Sequence, residues 1–442
     1  MIQFKNIIQM KKINKNIYLM EETGGLKHVT ITSDESSYSS KPNKINPKAI
    51  LIILGIAIGI SFSIILYNKK IQNYRLNHYD YIIVGSGLYG ATFNYFAKKK
   101  GKKTLVIEKR NVTGGNLYCP KIDGIYVHRY GPHVFHTDNK TIWDFMNSLV
   151  EFTPYITQSI AKSNGELYNL PYSMWTFNQM WGTTKPDQAN DKIEEQKYRG
   201  EIYNLEDQAK SIIGKDIYNK FIRENIWKEW DRETPTLPPF IIPSLPKRFI
   251  YDTNYFYEDR YQGIPVGCYN ALFDVLLKDT EISLSTDYLP NRERYEAAAD
   301  KIIYTGRIDE YYNYTFTPLE YRTVRWEDKI LNVPNFQGSA VIHYPDKAVN
   351  YTRVVEHKHF DPYNQKIQEK KKTIVSYEYY EEWNEDKECL YPLNDEKNNN
   401  LYLKYKELAD QEKKVVFAGR LGTYKYYDMK DIIEEIYNKF NS

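Results

Sequence analysis

The feature that most constrains this chain is a glycine turn set between a strand and a helix. Residues 79–84 (YDYIIV) form a short apolar run rich in β-formers. Gly85-Ser86-Gly87-Leu88-Tyr89-Gly90 follows at once, then a helical stretch over 91–100 and a second apolar run over 103–107 that ends in Glu108. Each part has a physical task. Gly85 permits the tight turn, Gly87 lets the backbone approach a pyrophosphate, and Gly90 lets the helix pack close to the sheet. The helix N-terminus offers free N–H groups and the positive end of its dipole to phosphate. Glu108 follows Gly90 by 18 residues, where a carboxylate can accept from ribose hydroxyls. The order strand, glycine turn, helix, strand, acid predicts a dinucleotide site.

Two further stretches refine it. Just past Glu108 come Arg110 and then Gly114-Gly115-Asn116. A basic residue and a glycine pair in that position resemble the FAD-binding pattern of the amine-oxidase and mutase class of flavoproteins. Late in the chain, 414–418 (KVVFA) reads as a buried strand, followed by Gly419-Arg420 and a helix over 429–440. Arg420 is placed to clamp a pyrophosphate.

The 442 residues are 42% hydrophobic and 26% charged, enough for a sizeable core. Residues 1–78 hold 11 Lys/Arg against 4 Asp/Glu, and the remainder 49 against 53, which excludes an electrostatic nucleic-acid binder. Cys119, Cys268 and Cys389 suggest neither a disulfide framework nor a metal cluster, so a reducing compartment is expected. No metal site is expected: His357 and His359 would share a strand face, where packing is the simpler role. Residues 49–67 carry no charge over 19 positions, which predicts a single-pass transmembrane helix. It would follow a polar tail (1–48) and precede a tether (68–78), with the body facing the cytosol.

From residue 79 onward the chain resembles the prokaryotic-type UDP-galactopyranose mutase family. The blocks that carry the resemblance include 81–90 (YIIVGSGLYG), 106–116 (VIEKRNVTGGN), 130–137 (YGPHVFHT), 259–267 (DRYQGIPVG), 351–360 (YTRVVEHKHF) and 424–429 (YKYYDM). The resemblance implies interconversion of UDP-galactopyranose and UDP-galactofuranose. Reduced FAD would act as nucleophile through N5 on the anomeric carbon, with UDP as leaving group and no net redox change. NAD(P)H or another cellular reductant would prime the flavin, and a homo-oligomer is possible. The implied catalytic residues are Arg232, Arg322 and His136. The implied substrate contacts are Trp181 on a mobile lid, Tyr255, Tyr351, Tyr426 and Gln158. The implied cofactor contacts are Gly85, Gly87, Gly90, Glu108, Gly114, Gly115, Asn116, His133, Arg420 and Asp428. Four positions depart from the family pattern: Pro132, Gln158, Asp231 and Cys268, the last standing at the second glycine of a Pro-Val-Gly-Gly run.

The fold expected is α/β. A discontinuous Rossmann-like FAD-binding domain (79–151, 259–309 and 412–442) would carry a mainly helical substrate domain (152–245) and an antiparallel β-sheet domain (246–258 and 310–411). Two rivals stay open: an FAD-dependent amine oxidase or desaturase-like oxidoreductase, and a membrane-anchored nucleotide-sugar-binding protein without turnover.

Overall fold

The structure is a computed structural model. It describes residues 78–242 and 245–441, with short pieces at 18–20, 26–28, 59–61 and 63–64. The chain divides into two compact units, Met1–Ile71 and Gln72–Ser442. In the first, Tyr18–Met20 pairs antiparallel with Leu26–His28.

The second unit opens with the strand β1 (Tyr79–Val84), the helix α1 (Leu88–Lys99) and the strand β2 (Thr104–Ile107). The helix is buried on nearly every side, Leu88 to Asn94 without a break and then Phe96 and Ala97, as expected of a helix enclosed in a core. It ends on Lys98 and Lys99, whose charges suit the C-terminal end of the dipole. Later stretches add α2 (Cys268–Leu276), β3 (Glu281–Ser283), β4 (Ala299–Tyr304), β5 (Val415–Phe417) and α3 (Met429–Asn441). The five strands form one parallel sheet in the order β3-β2-β1-β4-β5. Ile82 stands opposite Leu105 on one side and Ile302 on the other. All four residues of β2 are buried, as expected of a strand covered on both faces. The Rossmann-like sheet is thus assembled from three separated parts of the chain, as the sequence led us to expect.

The helices α1 and α3 close one face through rings: Phe93 and Phe440 lie 5.1 Å apart, and Phe96 and Phe440 5.7 Å. Between α1 and β4 the chain makes two further layers. Phe135–Thr137, Tyr261–Pro265 and Phe152–Pro154 pair as a small antiparallel sheet. Met174–Trp181, Pro186–Gln196, Leu205–Ile217 and Arg223–Trp230 are helices. They pack around Phe177, Ile193, Ala209, Ile213 and Ile217. A seven-stranded sheet runs Glu166–Leu170, Ser159–Ser163, Val341–His343, Arg353–Glu356, Thr373–Glu382, Tyr321–Leu331, Tyr391–Pro392. It is antiparallel except where Val341–His343 meets Ser159–Ser163.

Three expectations are corrected. The single-pass anchor, and with it the membrane-anchored body facing the cytosol, does not stand: among the described residues no helix is long and apolar enough to cross a membrane. Of 49–67, only 59–61 and 63–64 are described, as short helical pieces; the rest of that stretch lies outside the described residues. Second, Cys119 and Cys268 are joined as a disulfide, leaving Cys389 free. The sequence separation of 149 hid a pairing made only by the fold. Third, His357 and His359 lie on a single 3-10 turn, His357–Phe360, and not on a strand.

Candidate functional site

A cavity of about 780 Å³ lies at the carboxyl ends of the parallel strands. Gly85 after β1, Glu108 after β2, Thr286 near the end of β3, Thr305 after β4 and Gly419 after β5 all line it. This is the switch point of the sheet, where chain leaves adjacent strands in opposite directions and a crevice must open. Two glycines are set by contact. A Cβ on Gly90 would fall 2.0 Å from the carbonyl oxygen of Gly85, so α1 could not sit so close to the turn. A Cβ on Gly115 would fall 2.9 Å from the Cα of Gly87, so the second loop could not lie against the first. Gly87 caps the N-terminus of α1, and the backbones of both loops line the same cavity.

Glu108 is buried at the rim. Its carboxylate accepts from the Ser86 N–H at 2.8 Å, the Ser86 hydroxyl at 2.6 Å and the Arg110 N–H at 2.8 Å. Two oxygens offer about four acceptor sites, so capacity remains for a diol. Arg110 donates to Asn116 at 3.3 Å and pairs with Glu388, while its Nη1 is buried without a partner. Arg420 is fixed by donating Nη1 to Leu390 O at 2.9 Å and Nη2 to Tyr427 O at 2.8 Å. His133 also lines the cavity. Burial, with Arg420 and Arg353 nearby, pushes its imidazole down to about 4, so it is neutral at pH 7. Two backbone loops, a ribose-ready acid and an unpartnered guanidinium nitrogen fit a dinucleotide cofactor such as FAD. Asp428 is not in the lining, although Tyr427 and Met429 are; its charge is felt instead by Arg420 and Tyr426.

None of the expected catalytic or substrate residues lines this cavity. Some of them are joined to it. The Arg420 guanidinium lies 4.8 Å from the Tyr426 ring centroid. Tyr426 meets Tyr391 at 6.4 Å, and the Tyr391 hydroxyl donates to that of Tyr380 at 3.3 Å. Arg322 sits 5.9 Å from the Tyr380 ring and 4.5 Å from the Trp230 ring. The register explains the grouping. Val324 stands opposite Tyr380 and Trp326 opposite Glu378, so Arg322, Tyr380 and Glu378 share one face of the sheet.

Arg353 pairs with Glu378 at 2.5 Å on that same face. Glu229, one residue before Trp230, accepts from Asn225 at 2.7 Å. Burial pushes its carboxyl up to about 7; the Glu378 charge adds to this, and Asn225, Arg322 and Arg353 oppose it. Glu229, Arg353, Tyr380 and Tyr391 were not singled out from the sequence. Arg353 carried a signal, a charge entering a Val-Val run inside a family block.

Other expected residues are placed elsewhere. The Tyr351 ring packs on Tyr377 at 5.0 Å and Tyr379 at 6.3 Å, the opposite face of that strand from Tyr380. Trp181 was expected in a mobile loop; it is instead the last residue of the helix Met174–Trp181. It stacks on Phe177 at 5.7 Å and donates Nε1 to Asp216 at 3.0 Å. Arg232 is exposed just after the helix Arg223–Trp230, whose cap Asp231 takes a left-handed φ of 50°. Gln158 donates to Thr253 at 3.2 Å, and the nearby Tyr255 is 39% exposed, which leaves its ring open to a ligand. His136 is held 2.5 Å from Asp259, which Lys430 contacts at 2.8 Å, and stacks 3.6 Å from Phe256. Burial alone would raise the Asp259 carboxyl, but Lys430 and His136 hold it below its ordinary value.

Comparison with known proteins places these features in context. A family profile described as UDP-galactopyranose mutase matches residues 220–426, and one described as an NAD(P)-binding Rossmann-like domain matches 83–149. The dTDP-fucopyranose mutase of Escherichia coli is 35% identical over 80% of this chain and 95% of its own. A probable UDP-galactopyranose mutase of Klebsiella pneumoniae is 36% identical over 81% of this chain and 93% of its own. A crystal structure of reduced UDP-galactopyranose mutase superposes with a TM-score of 0.64 and 12% identity, covering 83% of this chain and 94% of that one.

Proposed function

We propose, for a chain that belongs to the UDP-galactopyranose mutase family, that it interconverts UDP-galactopyranose and UDP-galactofuranose. FAD would be held at the glycine turns, reduced by NAD(P)H or another cellular reductant, and would supply the nucleophilic centre for the anomeric carbon, with UDP as leaving group. The remaining work belongs to the protein. Arg322 and Arg232 bind the diphosphate and hold its charge as it leaves. Tyr426 and Tyr255 donate to phosphate oxygens, and Gln158 meets the sugar. Trp181 and Tyr351 stay in the proposal as outer substrate contacts. His136, held by Asp259, which Lys430 also contacts, would act as a positioning residue outside the cavity lining. Asp428 tunes Arg420 and Tyr426.

The observation that carries this reading is the contact path Arg420–Tyr426–Tyr391–Tyr380–Arg322. It connects the cofactor cavity to the cationic face where a diphosphate would lie. An amine oxidase would have no use for that cationic face.

The test is direct. Protein reduced with dithionite is given UDP-galactofuranose and, separately, the dTDP-fucofuranose suggested by the Escherichia coli relative, and products are separated by ion-pair chromatography. We expect UDP-galactopyranose. Conversion of the dTDP sugar alone would reject the substrate, and turnover without any reductant would reject the mechanism.

A further inference from the structure

The disulfide between Cys119 and Cys268 belongs to no step of the proposed reaction, yet it sits against the cofactor loops. Cys119 lies two residues after the turn Gly115–Leu117, all three residues of which line the cavity. Cys268 is the first residue of α2, nine residues long, and holds a left-handed φ of 59°. A cysteine is a poor choice for that conformation, which favours glycine. A cysteine in place of glycine there accepts that backbone conformation while placing a sulfur that bonds Cys119. Asn270 of α2 reinforces the link, accepting from the Cys119 N–H at 3.0 Å and donating to its carbonyl at 2.6 Å.

A third group faces the pair. The Cys119, Cys268 and His128 ligand atoms all lie within 4.8 Å of one another, and all three residues are buried. The His133 N–H donates to His128 Nδ1 at 3.2 Å. Nδ1 is therefore an acceptor, and the ring proton of a neutral imidazole must sit on Nε2, which lies 3.8 Å from Cys268 Sγ. Burial and the neighbouring His357 and His133 keep that ring neutral. A protonated Nε2 cannot ligate a metal through that atom, but it can donate to a thiolate. The N-terminus of α2 favours the same thiolate. Two independent features thus stabilise the reduced form of Cys268, and His133, which lines the cofactor cavity, touches the same imidazole.

We propose that Cys119 and Cys268 form a reversible dithiol–disulfide couple whose state sets how firmly the loop at 114–117 holds the flavin. The coupling rests on the flavin placement above; the couple itself does not. A small dithiol reduces it in two exchanges. One reagent sulfur attacks Cys268 Sγ; Cys268 is among the residues lining a small cleft of about 30 Å³, with Gly267 and His128. The Cys119–Cys268 bond breaks, and Cys119 leaves and takes a proton. The second reagent sulfur attacks the mixed disulfide, the reagent closes as its own disulfide, and Cys268 leaves as the thiolate facing His128. Two electrons pass from reagent to protein. In the oxidised state the exit of the flavin loop is pinned to α2, so less freedom is lost when the cofactor binds.

The full-length holoenzyme is equilibrated in dithiothreitol buffers of graded reduced-to-oxidised ratio, alkylated with N-ethylmaleimide, and its cysteine peptides are quantified by mass spectrometry. Flavin release is followed by fluorescence at both extremes. We expect Cys119 and Cys268 to become labelled together in the folded protein, and the oxidised form to release FAD more slowly by about fivefold or more, the low end of a useful coupling between sites. Cys119→Ser and Cys268→Gly should each remove the redox dependence, the second without backbone strain because glycine suits that φ. Labelling only after denaturant, or equal release rates, would overturn the proposal. So would a zinc ion retained by the reduced protein and lost on Cys119→Ser. A chain that holds no flavin in either state would reject the flavin reading and the coupling together, while labelling would still decide whether the couple is reversible.

Discussion

Glu229 is the acid whose protonation bears most directly on the cationic face. Its folded value near 7 stands above that of an exposed glutamate, because burial disfavours the charge. A group raised on folding contributes stability fully below its unfolded value of about 4.3. That contribution is lost as pH rises through 7. We therefore expect the urea midpoint to fall between pH 5 and pH 8 more steeply in the parent than in Glu229→Gln. The ionised carboxylate also opposes a diphosphate, so turnover should decline on the alkaline side and Glu229→Gln should flatten that limb; an unchanged profile would remove Glu229 from the site. Arg322→Ala and Arg232→Ala should each lower turnover at least about tenfold, since a charge-assisted contact contributes about 1.5–3 kcal/mol. Neither lines the cofactor cavity, so flavin content by absorbance should be unchanged; apoprotein would mean the assignment is wrong. Residues such as Glu108 were legible in the sequence because their setting is local, a fixed distance from a glycine turn. Arg353 was not, because only strand register places it beside Glu378.

Among elements, the β1-α1-β2 unit is where sequence and structure agree most closely. Its strands are short apolar runs, its helix is buried along most of its length, and the first turn of that helix tolerates only glycine at Gly90. Gly90→Ala places a Cβ 2.0 Å from a backbone carbonyl that no side-chain motion can relieve. The variant should fold with α1 displaced and lose most of its flavin, read as the absorbance ratio of flavin to protein after gel filtration. Full flavin content would show that the contact is not needed. Elements whose identity depends on partners were harder to see. Tyr321–Leu331 carries the polar run Glu327-Asp328-Lys329 and lacks the regular alternation that marks a strand; it becomes one because ten residues of Thr373–Glu382 pair with it. Trp181 follows a helical run but precedes Gly182, and the glycine proves to be the left-handed cap of that helix, φ 68°, not the hinge of a loop. The turn His357–Phe360 likewise follows from tertiary contacts: His357 accepts the His128 N–H at 3.2 Å and its Nε2 meets Ser376 at 2.7 Å.

For the whole molecule, the parallel sheet is the organising object, and its three separated sources explain why a linear reading finds the cofactor site but not its surroundings. Glycine turns repeat a local pattern at each source. The disulfide, the Arg322 face and the His136–Asp259–Lys430 cluster arise only when those sources meet, so no spacing in the chain announces them. The same architecture bears on the first 71 residues. Every residue that lines the cofactor cavity, and every member of the Arg322 face, belongs to the unit Gln72–Ser442. The sheet's first strand is secured from within that unit: the Tyr79 N–H donates to Ala298 O at 2.8 Å, and His78 meets Asp300 at 2.9 Å. A chain starting at Gln72 therefore keeps its complete sheet, its cavity and both cysteines of the pair. We expect it to fold cooperatively, to bind flavin at the stoichiometry of the full chain, and to turn over UDP-galactofuranose at the same rate under dithionite. Calorimetry and the coupled chromatographic assay on the two proteins side by side decide it. A truncated protein that loses flavin or turnover would show that residues 1–71 complete the site, and the self-sufficiency of Gln72–Ser442 would fail.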